Sequence, residues 1–307
     1  GRGYASGFWF NAGGESSAQV NITEDGNVVV TTGHPDIGGS RASIANITAE
    51  LLGIDVNRVS VLIGDTATIG FSNLTGGSRV LFASALVVTE STNQVIDILK
   101  DRASKIWNID KEAIEWENGE ARPAGDNAGK FKPLSLVELA EQATPTGGPI
   151  GAGHQVNTVG AEGGFATHIC DVEVDIELGI ARVIRYTAAQ DVGKAIHPAY
   201  VEGQLQGGVV QGIGWALNEE YIYNKEGKLD NPGFLDYRIP VCSDLPMIDT
   251  ILVEVPNPQH PQGVRGVGEV PIVPPLSAIA NAIYNAIGTR FYSLPMSPPK
   301  VLEKISD

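Results

Sequence analysis

Residues 171–188 read DVEVDIELGIARVIRYTA, and residues 198–214 read PAYVEGQLQGGVVQGIG. In the first stretch, valine and isoleucine alternate with aspartate and glutamate, which is the period of a strand with one solvent-exposed face. Gly179 then turns the chain into a second apolar run, so the stretch predicts two paired strands. The second stretch opens on Pro198, a residue suited to the first turn of a helix. Strands followed by a helix in this way favour an α+β fold.

The predicted helix is unusual in its glycine content, with five of them: Gly203, Gly207, Gly208, Gly212 and Gly214. Each would weaken an isolated helix by roughly 1 kcal/mol relative to alanine. Their presence therefore predicts very close packing, against either a neighbouring backbone or a flat ligand.

Outward from these stretches, the sequence predicts further strands and helices. They are a hairpin over residues 18–32, a helix that follows Ser40 and ends at Gly53, a strand at residues 59–63, a long helix over residues 78–107, a short helix that Ser135 and Glu138 would cap, and a helix that begins at Pro275. Residues 118–133 and 144–165 are rich in Gly, Pro and Asn and are predicted to be excursions. The second of them predicts the boundary between two subdomains of mixed sheets with packed helices, residues 1–150 and 151–307.

The composition limits the partners and the chemistry. A formal net charge of −15 over 307 residues argues against nucleic acid and anionic membranes as partners. No run approaches the roughly 18 apolar residues of a membrane span, and the first ten residues lack the apolar segment of a signal peptide, so a cytoplasmic protein is expected. The two cysteines, Cys170 and Cys242, are too few for the four thiolates of an iron–sulfur cluster. Electron carriers, if the chemistry is redox, are therefore expected on other chains.

A single carboxylate stands near the end of a glycine-rich loop, GVRGVGEVP at residues 263–271. Glycines in such a loop allow a positive φ and let the backbone approach a ligand closely. An apolar, tightly wound setting would disfavour the charged form of Glu269 and make it a better base. The alternative is a solvent-facing glutamate in a turn, with the glycines serving only chain reversal.

Two glycine pairs, Gly38-Gly39 and Gly76-Gly77, come directly before predicted helices, and each is followed by serine. A helix N-terminus presents free N–H groups and the positive end of a dipole, which favours phosphate. Neither pair fits a P-loop, because no Lys-Ser/Thr follows, and neither fits the dinucleotide fingerprint. Together with the glycine-rich helix, these pairs predict a large phosphate-bearing cofactor, with ordinary helix entry as the alternative.

These motifs occur together, and in this order, in one known family. They are TGHPDIGGS at residues 32–40, GDT at 64–66, GGSR at 76–79, DVGKAIHP at 191–198, EGQLQGGVVQGIG at 202–214, LDYRIP at 235–240 and GVGE at 266–269. The chain resembles the C-terminal half of the molybdopterin-binding subunit in the xanthine dehydrogenase/aldehyde oxidase family of molybdenum hydroxylases. This resemblance runs through nearly all of the chain and implies the α+β fold of that family's second molybdopterin-binding domain. The chain is similar to the medium molybdopterin subunit of a split nicotinate dehydrogenase, in which two chains hold one cofactor. A cut or truncated part of a longer single-chain relative is the alternative.

The resemblance implies a role for each matching residue. Glu269 would be the general base, adjacent to molybdenum without ligating it, with Gly268 at the cofactor. Gln204 would hydrogen-bond the pterin, because its amide can both donate and accept. The pterin and the dinucleotide phosphates would be held at the two helix entries by Gly38, Gly39, Ser40, Arg41, Gly77, Ser78 and Arg79. A surface salt bridge is the alternative for each of the two arginines.

The chain departs from the family at one motif, and several of its other polar residues are interpreted as structural. Many relatives have Gly-Gln-Gly where this chain has Gly38-Gly39-Ser40, so a glutamine side chain near the metal is lost. Other polar residues are interpreted as structural: His34, His168, His197 and His260, with Asp65 and Asp191 as turn or cap residues.

The resemblance also implies cofactors, partners and a reaction. The cofactor would be a molybdenum–molybdopterin dinucleotide, expected in its cytosine form with a terminal sulfido or selenido ligand, shared with a second molybdopterin chain. An iron–sulfur subunit with [2Fe-2S] centres and an FAD subunit would take the electrons. The expected reaction is hydroxylation of an N-heterocycle such as nicotinate with water-derived oxygen; aldehyde, purine and carbon monoxide oxidation stay open. A non-catalytic scaffold or a cofactor-holding subunit is the alternative outside the enzyme class, and Glu269 argues against both.

Overall fold

The computed structural model describes residues 1–306, apart from the side chains of Thr66, Ala161 and Glu162. The strands are β1 (Arg2–Asn11), β2 (Gly14–Ile22), β3 (Val28–Thr32), β4 (Val59–Ile63), β5 (Ile114–Glu117), β6 (Glu120–Pro123), β7 (Leu134–Ser135), β8 (Ile150–Thr158), β9 (Ala161–Asp175), β10 (Ile180–Asp191) and β11 (Ile248–Val253). The helices are α1 (Ser40–Leu52), α2 (Thr66–Ile69), α3 (Val80–Trp107), α4 (Leu136–Glu141), α5 (Ala143–Thr146), α6 (Pro198–Leu217), α7 (Val273–Ile287) and α8 (Pro298–Ser306). Sheets that mix parallel and antiparallel pairs, with helices packed on them, confirm the predicted α+β class.

The chain divides into two compact units, and each is discontinuous in sequence. Unit 1 comprises Gly1–Phe10, Glu162–Pro256 and the residues from Arg265 onward, and unit 2 comprises Asn11–Ala161 and Asn257–Val264. The main boundary lies inside the predicted excursion but differs from the expected division between residues 150 and 151. The reason is β8, which pairs with β2 along its whole length and therefore belongs to unit 2.

Unit 2 is built on a sheet with the strand order β4-β3-β2-β8. The pairing of β2 with β3 is the predicted hairpin, while β3 and β4 run parallel. Helix α3 packs across β2 and β8, and α1 packs against α3 and β4. The core between them contains fully buried apolar side chains, among them Val20, Val30, Val88 and Leu99. Each such side chain stabilises the unit by about 1.5–3 kcal/mol relative to an exposed position.

Unit 1 is built on a sheet with the strand order β1-β9-β10-β11. Strands β9 and β10 form the predicted antiparallel pair, and β11 joins β10 in parallel. One face of this sheet, including Cys170 and Tyr186, packs with Val209 of α6 and Ile279 of α7 in a second core. Burial raises the pKa of the Cys170 thiol to about 12, which agrees with its interpretation as a small apolar strand residue.

Several predicted boundaries are confirmed at the level of single caps. Gly53 is left-handed and ends α1, and Ser135 and Glu138 form a capping box at the start of α4. Helix α7 begins at Val273, earlier than the predicted Pro275, and ends at the left-handed Gly288. The predicted excursion at residues 144–165 is wrong, because it contains β8 and the beginning of β9. Its glycines hid the strands, since glycine is rare inside sheets.

One helical segment among the described residues, Val270–Ile287, has the length and the mean hydropathy, 1.3, of a membrane span. Core helices of soluble proteins pass the same test. Here the residues along one side of α7 are fully buried in the core of unit 1: Ala278, Ile279, Ala282 and Ile283. Burial in the core of unit 1 accounts for the apolar residues on this side of α7.

Candidate functional site

Glu269 begins a single 3-10 turn formed by Val270–Ile272 in unit 1. Its backbone carbonyl accepts a hydrogen bond from the amide of Ile272 (3.4 Å), and its side chain is half-buried. Val270 beside it is fully buried. Of the glycines in the 263–271 loop, only Gly263 adopts a positive φ (68°). Glu269 therefore stands, half-buried, at the start of a turn whose next residue is part of the interior.

A buried arginine anchors the loop that carries Glu269. The side chain of Arg265 is 7% exposed, and its Nε lies 3.2 Å from Oδ2 of Asp191, which is 18% exposed. The Nη1 of Arg265 donates to the carbonyl of Gly163 (3.1 Å) and its Nε to that of Val255 (3.4 Å). The loop is thus tied to β9, to the end of β10 and to the segment after β11.

The sequence predicted Asp191 as a turn residue but missed its ion pair with Arg265. The turn is confirmed, because the Asp191 carboxylate accepts the amide of Gly193 (3.0 Å). Asp65 likewise caps α2 by accepting the amide of Ala67 (2.9 Å). The available signal for the ion pair was a charged side chain among glycines and valines, a setting in which arginine is rare unless paired.

Two glycines of α6 pack against the segment that follows Glu269. An added Cβ on Gly208 would lie 2.6 Å from Cγ of Pro271, and one on Gly212 would overlap Pro275. Side chains at these positions would push the helix away from the turn. The predicted close approach of α6 to a neighbouring segment is therefore confirmed at these two positions.

Two other glycines of α6 leave an open strip on the helix. An added Cβ on Gly203 or on Gly207 would meet nothing within 4 Å, and both residues are exposed. They lie one turn apart, so the helix surface between them carries no side chain from either. Gln204 follows Gly203 directly and is half-buried. Helix α6 thus carries Gln204 in the same unit as Glu269.

The N-terminus of α1, in unit 2, already holds a carboxylate. Gly38 and Gly39 are both left-handed (φ 62° and 75°) and lead into the helix at Ser40. Asp36 accepts the backbone amide of Arg41 (3.1 Å) and also its Nε (2.7 Å). The amide contact is the largest cause that lowers the pKa of Asp36. Arg41 therefore forms the salt bridge that was its alternative role. A cofactor phosphate at this helix entry stays a prediction, and it requires Asp36 to release or share the N–H groups of Arg41.

The entry of α3 uses two left-handed residues in succession, Gly77 (φ 67°) and Ser78 (φ 53°). Positive φ in a residue with a Cβ stores on the order of 1 kcal/mol of strain. The Nδ2 of Asn11 donates to the carbonyl of Ser78 (2.9 Å), and the amide of Ala12 donates to that of Gly77 (2.8 Å). Such strain is often kept at ligand-binding positions, so this loop stays a candidate for cofactor contact.

Arg79 is buried, with 2% of its residue surface exposed, so the surface salt bridge offered as its alternative role is wrong. Burial is the main cause that lowers the pKa of its guanidinium. Its five N–H donors bind the carbonyls of Gly13 (2.6 Å), Glu15 (2.8 Å), Asn73 (3.0 Å) and Leu74 (3.3 Å) and the hydroxyl of Ser16 (2.9 Å). The observed role is to tie β2 to the loop before α3. Pairing with pyrophosphate stays a prediction that would cost at least one of these bonds.

The buried histidines bond neighbouring polar groups: His34 with the Ser16 hydroxyl (2.9 Å), His168 with the Tyr186 hydroxyl (3.0 Å) and His260 with the Phe82 carbonyl (3.0 Å). Burial, aided for His34 by the charge of Arg79, lowers the pKa of His34 and of His168 to about 4. His197 stacks on Tyr200 (4.0 Å between ring centroids). Across residues 1–306, no group of three or more His, Cys, Asp or Glu residues is placed to hold a metal ion. These contacts agree with a structural role for the histidines.

The residues predicted for the site fall into two groups. Unit 1 carries Gln204, Gly268 and Glu269, whereas unit 2 carries Gly38, Gly39, Ser40, Arg41, Gly77, Ser78 and Arg79. Within unit 1, the helix of Gln204 and the turn of Glu269 pack together through Gly208 and Pro271. Within unit 2, both predicted phosphate loops lead into helices through left-handed residues.

Comparison with known proteins places these features in a family context. The family described as molybdopterin cofactor-binding domain matches residues 2–246. The chain is 30% identical to the putative xanthine dehydrogenase molybdenum-binding subunit XdhA of Escherichia coli K12, over 98% of this chain and 41% of that protein. It is 29% identical to the nicotine 6-hydroxylase large subunit of Paenarthrobacter nicotinovorans, over 93% of this chain and 36% of that protein. The chain thus spans about two fifths of the length of these relatives.

Solved structures share the fold. Quinoline 2-oxidoreductase from Pseudomonas putida 86 superposes with a TM-score of 0.86 at 24% identity, covering 100% of this chain and 42% of that chain. At this identity the similarity establishes the fold alone. Aldehyde oxidoreductase and carbon monoxide dehydrogenase subunits are also among the relatives.

Proposed function

We propose that this chain, which belongs to the family of molybdopterin cofactor-binding domains found in xanthine dehydrogenases and carbon monoxide dehydrogenases, supplies part of the active site of a molybdenum hydroxylase. The chain spans about two fifths of its relatives' length, and we propose that a second molybdopterin chain supplies the rest of the site. The observation that carries the proposal is the position of Glu269: a half-buried glutamate at the end of a glycine loop that Arg265 and Asp191 hold in place.

The residues of this chain fit a molybdopterin cofactor in two respects. The strip of α6 between Gly203 and Gly207 lacks side chains, so a flat ring could approach the helix beside the Gln204 amide. In unit 2, the strained Gly77-Ser78 entry of α3 has the backbone geometry expected of a ligand-contacting loop. Gln204 would hold the pterin, and the entries of α1 and α3 would hold the pterin and its dinucleotide, which we propose to be the cytosine form.

Glu269 would act as the general base. When bound, the cofactor would supply the Lewis acidity of molybdenum, with a sulfido or selenido ligand, and accept two electrons. A carboxylate oxygen of Glu269 would take the proton from the attacking, water-derived oxygen, a role that typically contributes about 10²–10⁴-fold to the rate. The Arg265–Asp191 pair would keep that carboxylate in place during turnover, because it ties the loop of Glu269 to the end of β10.

For the substrate we propose an N-heterocycle such as nicotinate. Two relatives support this choice, because nicotine and xanthine, the compounds in their names, are both N-heterocycles. Aldehyde or carbon monoxide oxidation is the alternative, supported by the names of other relatives. We propose that the electrons pass to an iron–sulfur subunit and an FAD subunit; the two cysteines of these 307 residues are too few to ligate an iron–sulfur cluster here.

The test uses the complete complex, purified through a tag on this chain. We would measure hydroxylation of nicotinate, xanthine and an aromatic aldehyde in water enriched in oxygen-18. Label in the product of a heterocycle would support the proposal, and activity on the aldehyde alone would contradict the substrate assignment.

The variant Glu269→Gln tests the base. We expect it to keep the wild-type molybdenum content and to lose activity by at least about 10²-fold. The control is Glu177→Gln, in the exposed turn between β9 and β10, which should retain full activity. A Glu269→Gln complex with wild-type turnover would refute the base assignment and favour the scaffold alternative.

A further inference from the structure

Unit 1 buries two polar side chains whose hydrogen-bonding groups are not all satisfied by the protein. His168 on β9 is fully buried, and Gln190 on β10 is 1% exposed. Neither the Nε2 of His168 nor either end of the Gln190 carboxamide, Oε1 or Nε2, has a hydrogen-bond partner among the residues that the structure describes. Buried polar groups are almost always bonded, to protein or to ordered water, so these three atoms need an explanation.

Strand pairing brings the two side chains together on the core face of the sheet. In the antiparallel register of β9 and β10, Gln190 lies opposite Ala166, and His168 lies opposite Ala188. All four residues are buried, so all four side chains are on the face that packs under the helices of unit 1. His168 and Gln190 are therefore diagonal neighbours, about 7–8 Å apart at their Cα atoms. The two alanines occupy the other corners and leave room between the long side chains.

The other nitrogen of His168 fixes the direction of its ring. Its Nδ1 lies 3.0 Å from the hydroxyl of Tyr186, the diagonal neighbour on the opposite side, which pairs with Cys170. The two nitrogens of an imidazole ring point away from each other, so Nε2 faces away from Tyr186. Burial lowers the pKa of His168 to about 4, so the ring is neutral near pH 7 and Nε2 carries either a proton or a lone pair. In either case Nε2 needs a partner, and Gln190 is the polar neighbour on that side of the sheet.

We propose that unit 1 binds at least one internal water molecule between the Nε2 of His168 and the carboxamide of Gln190. Water is the ligand that fits, because it can both donate and accept and because two side chains this deeply buried leave no path for a larger molecule. Gln190 directly precedes Asp191, the residue whose carboxylate pairs with Arg265. The bound water therefore fixes the end of β10 from which the loop of Glu269 is anchored. This inference stands whether or not the proposed function is correct.

The experiment uses the complete complex, purified through a tag on this chain. A crystal structure at a resolution that shows ordered water locates the molecule directly. The test variant is Gln190→Met, which keeps the length of the side chain and removes the carboxamide. The matched control is Gln211→Met, at an exposed position of α6 where bulk water surrounds the carboxamide. The melting temperature and the hydrogen exchange of the backbone amides are measured for the wild type and for both variants.

The expected result is an ordered water within hydrogen-bond distance of both side chains. Gln190→Met should lower the melting temperature by at least about 2 °C, because it strands the Nε2 of His168, while Gln211→Met leaves it unchanged. Exchange should become faster at the amides of residues 191–193 and stay unchanged at residues 180–182, at the far end of β10. A direct bond between His168 and Gln190 with no water between them would overturn the inference. So would a rise in the melting temperature of Gln190→Met, since that is the result for a carboxamide that binds nothing.

Discussion

Asp191→Asn removes the negative partner of the buried Arg265 while keeping the size of the side chain. At 3.2 Å, and with an effective dielectric constant of about 20, the gross attraction of the pair is about 5 kcal/mol. Desolvation offsets most of that attraction in the wild type, but removal of one partner leaves the other charge buried and unpaired, which typically costs 3–5 kcal/mol. Arg265 keeps its bonds to the carbonyls of Gly163 and Val255, so we expect Asp191→Asn to lower the free energy of unfolding by about 3 kcal/mol, the lower end of this range.

The reciprocal variant should cost somewhat less. In Arg265→Met the Asp191 carboxylate is left, but it is partly exposed and still accepts the amide of Gly193. We expect Arg265→Met to lower the free energy of unfolding by about 2–3 kcal/mol. The double variant should cost less than the sum of the two single variants by at least about 1.5 kcal/mol, because the second substitution removes the stranded charge. Turnover should fall by about tenfold or more in both single variants, since the loop of Glu269 loses its anchor.

The assay is thermal unfolding of the purified complex, with turnover measured on the same samples. At about 2–4 °C per kcal/mol, Asp191→Asn should lower the melting temperature by roughly 6–12 °C. The control is Arg185→Met, whose pair with Asp249 (3.6 Å) is exposed on both sides, so its loss should cost under about 1 kcal/mol. Single variants that melt within about 1 °C of the wild type, or costs that simply add, would refute the claim that this pair anchors the loop.

Three further predictions concern individual contacts. Burial lowers the pKa of His34 to about 4, below its unfolded value, so the stability that the neutral ring contributes above pH 6.5 is lost as the pH falls. Between pH 7 and pH 5, the free energy of unfolding in urea should fall by about 2 kcal/mol more for the wild type than for His34→Gln. Gly208→Ala should lower the melting temperature, because the new methyl group would lie 2.6 Å from Pro271. Gly207→Ala, on the open strip of α6, should leave the melting temperature unchanged or higher and instead reduce the molybdenum content found by elemental analysis. Ser135→Ala should cost about 1 kcal/mol and speed hydrogen exchange in α4, and unchanged exchange would mean that the capping box contributes nothing.

Much of the fold could be read from local patterns. The hairpin β2–β3 and the pair β9–β10 carry an alternating period, α1 ends at the left-handed Gly53 and α6 begins at Pro198, so local patterns and tertiary structure agree there. Strand β8 was missed because its glycines and its flanking Pro149 read as loop, and pairing with β2 overrides that local preference. The units could not be divided correctly for the same reason, since strand pairing across distant segments decides which residues belong together.

The motifs predicted which residues belong to the site, but they did not predict what each of these side chains contacts. Arg79 looked like a phosphate ligand because it follows Gly77-Ser78, yet its donors bind the protein itself: the nearby carbonyls of Asn73 and Leu74, and groups of Gly13, Glu15 and Ser16 more than 60 residues away in sequence. Arg41 meets the carboxylate of Asp36 in its own loop. Whether a basic side chain faces a ligand or its own protein depends on tertiary packing, which a local motif does not encode.

The elemental and flavin content of the native complex, purified through this chain, shows whether the chain helps to hold a molybdenum cofactor. We predict about one molybdenum per chain, with iron and FAD on separate companion chains, and selenium if the terminal ligand is selenido. A folded chain that co-purifies with its companions but contains no molybdenum would contradict the account.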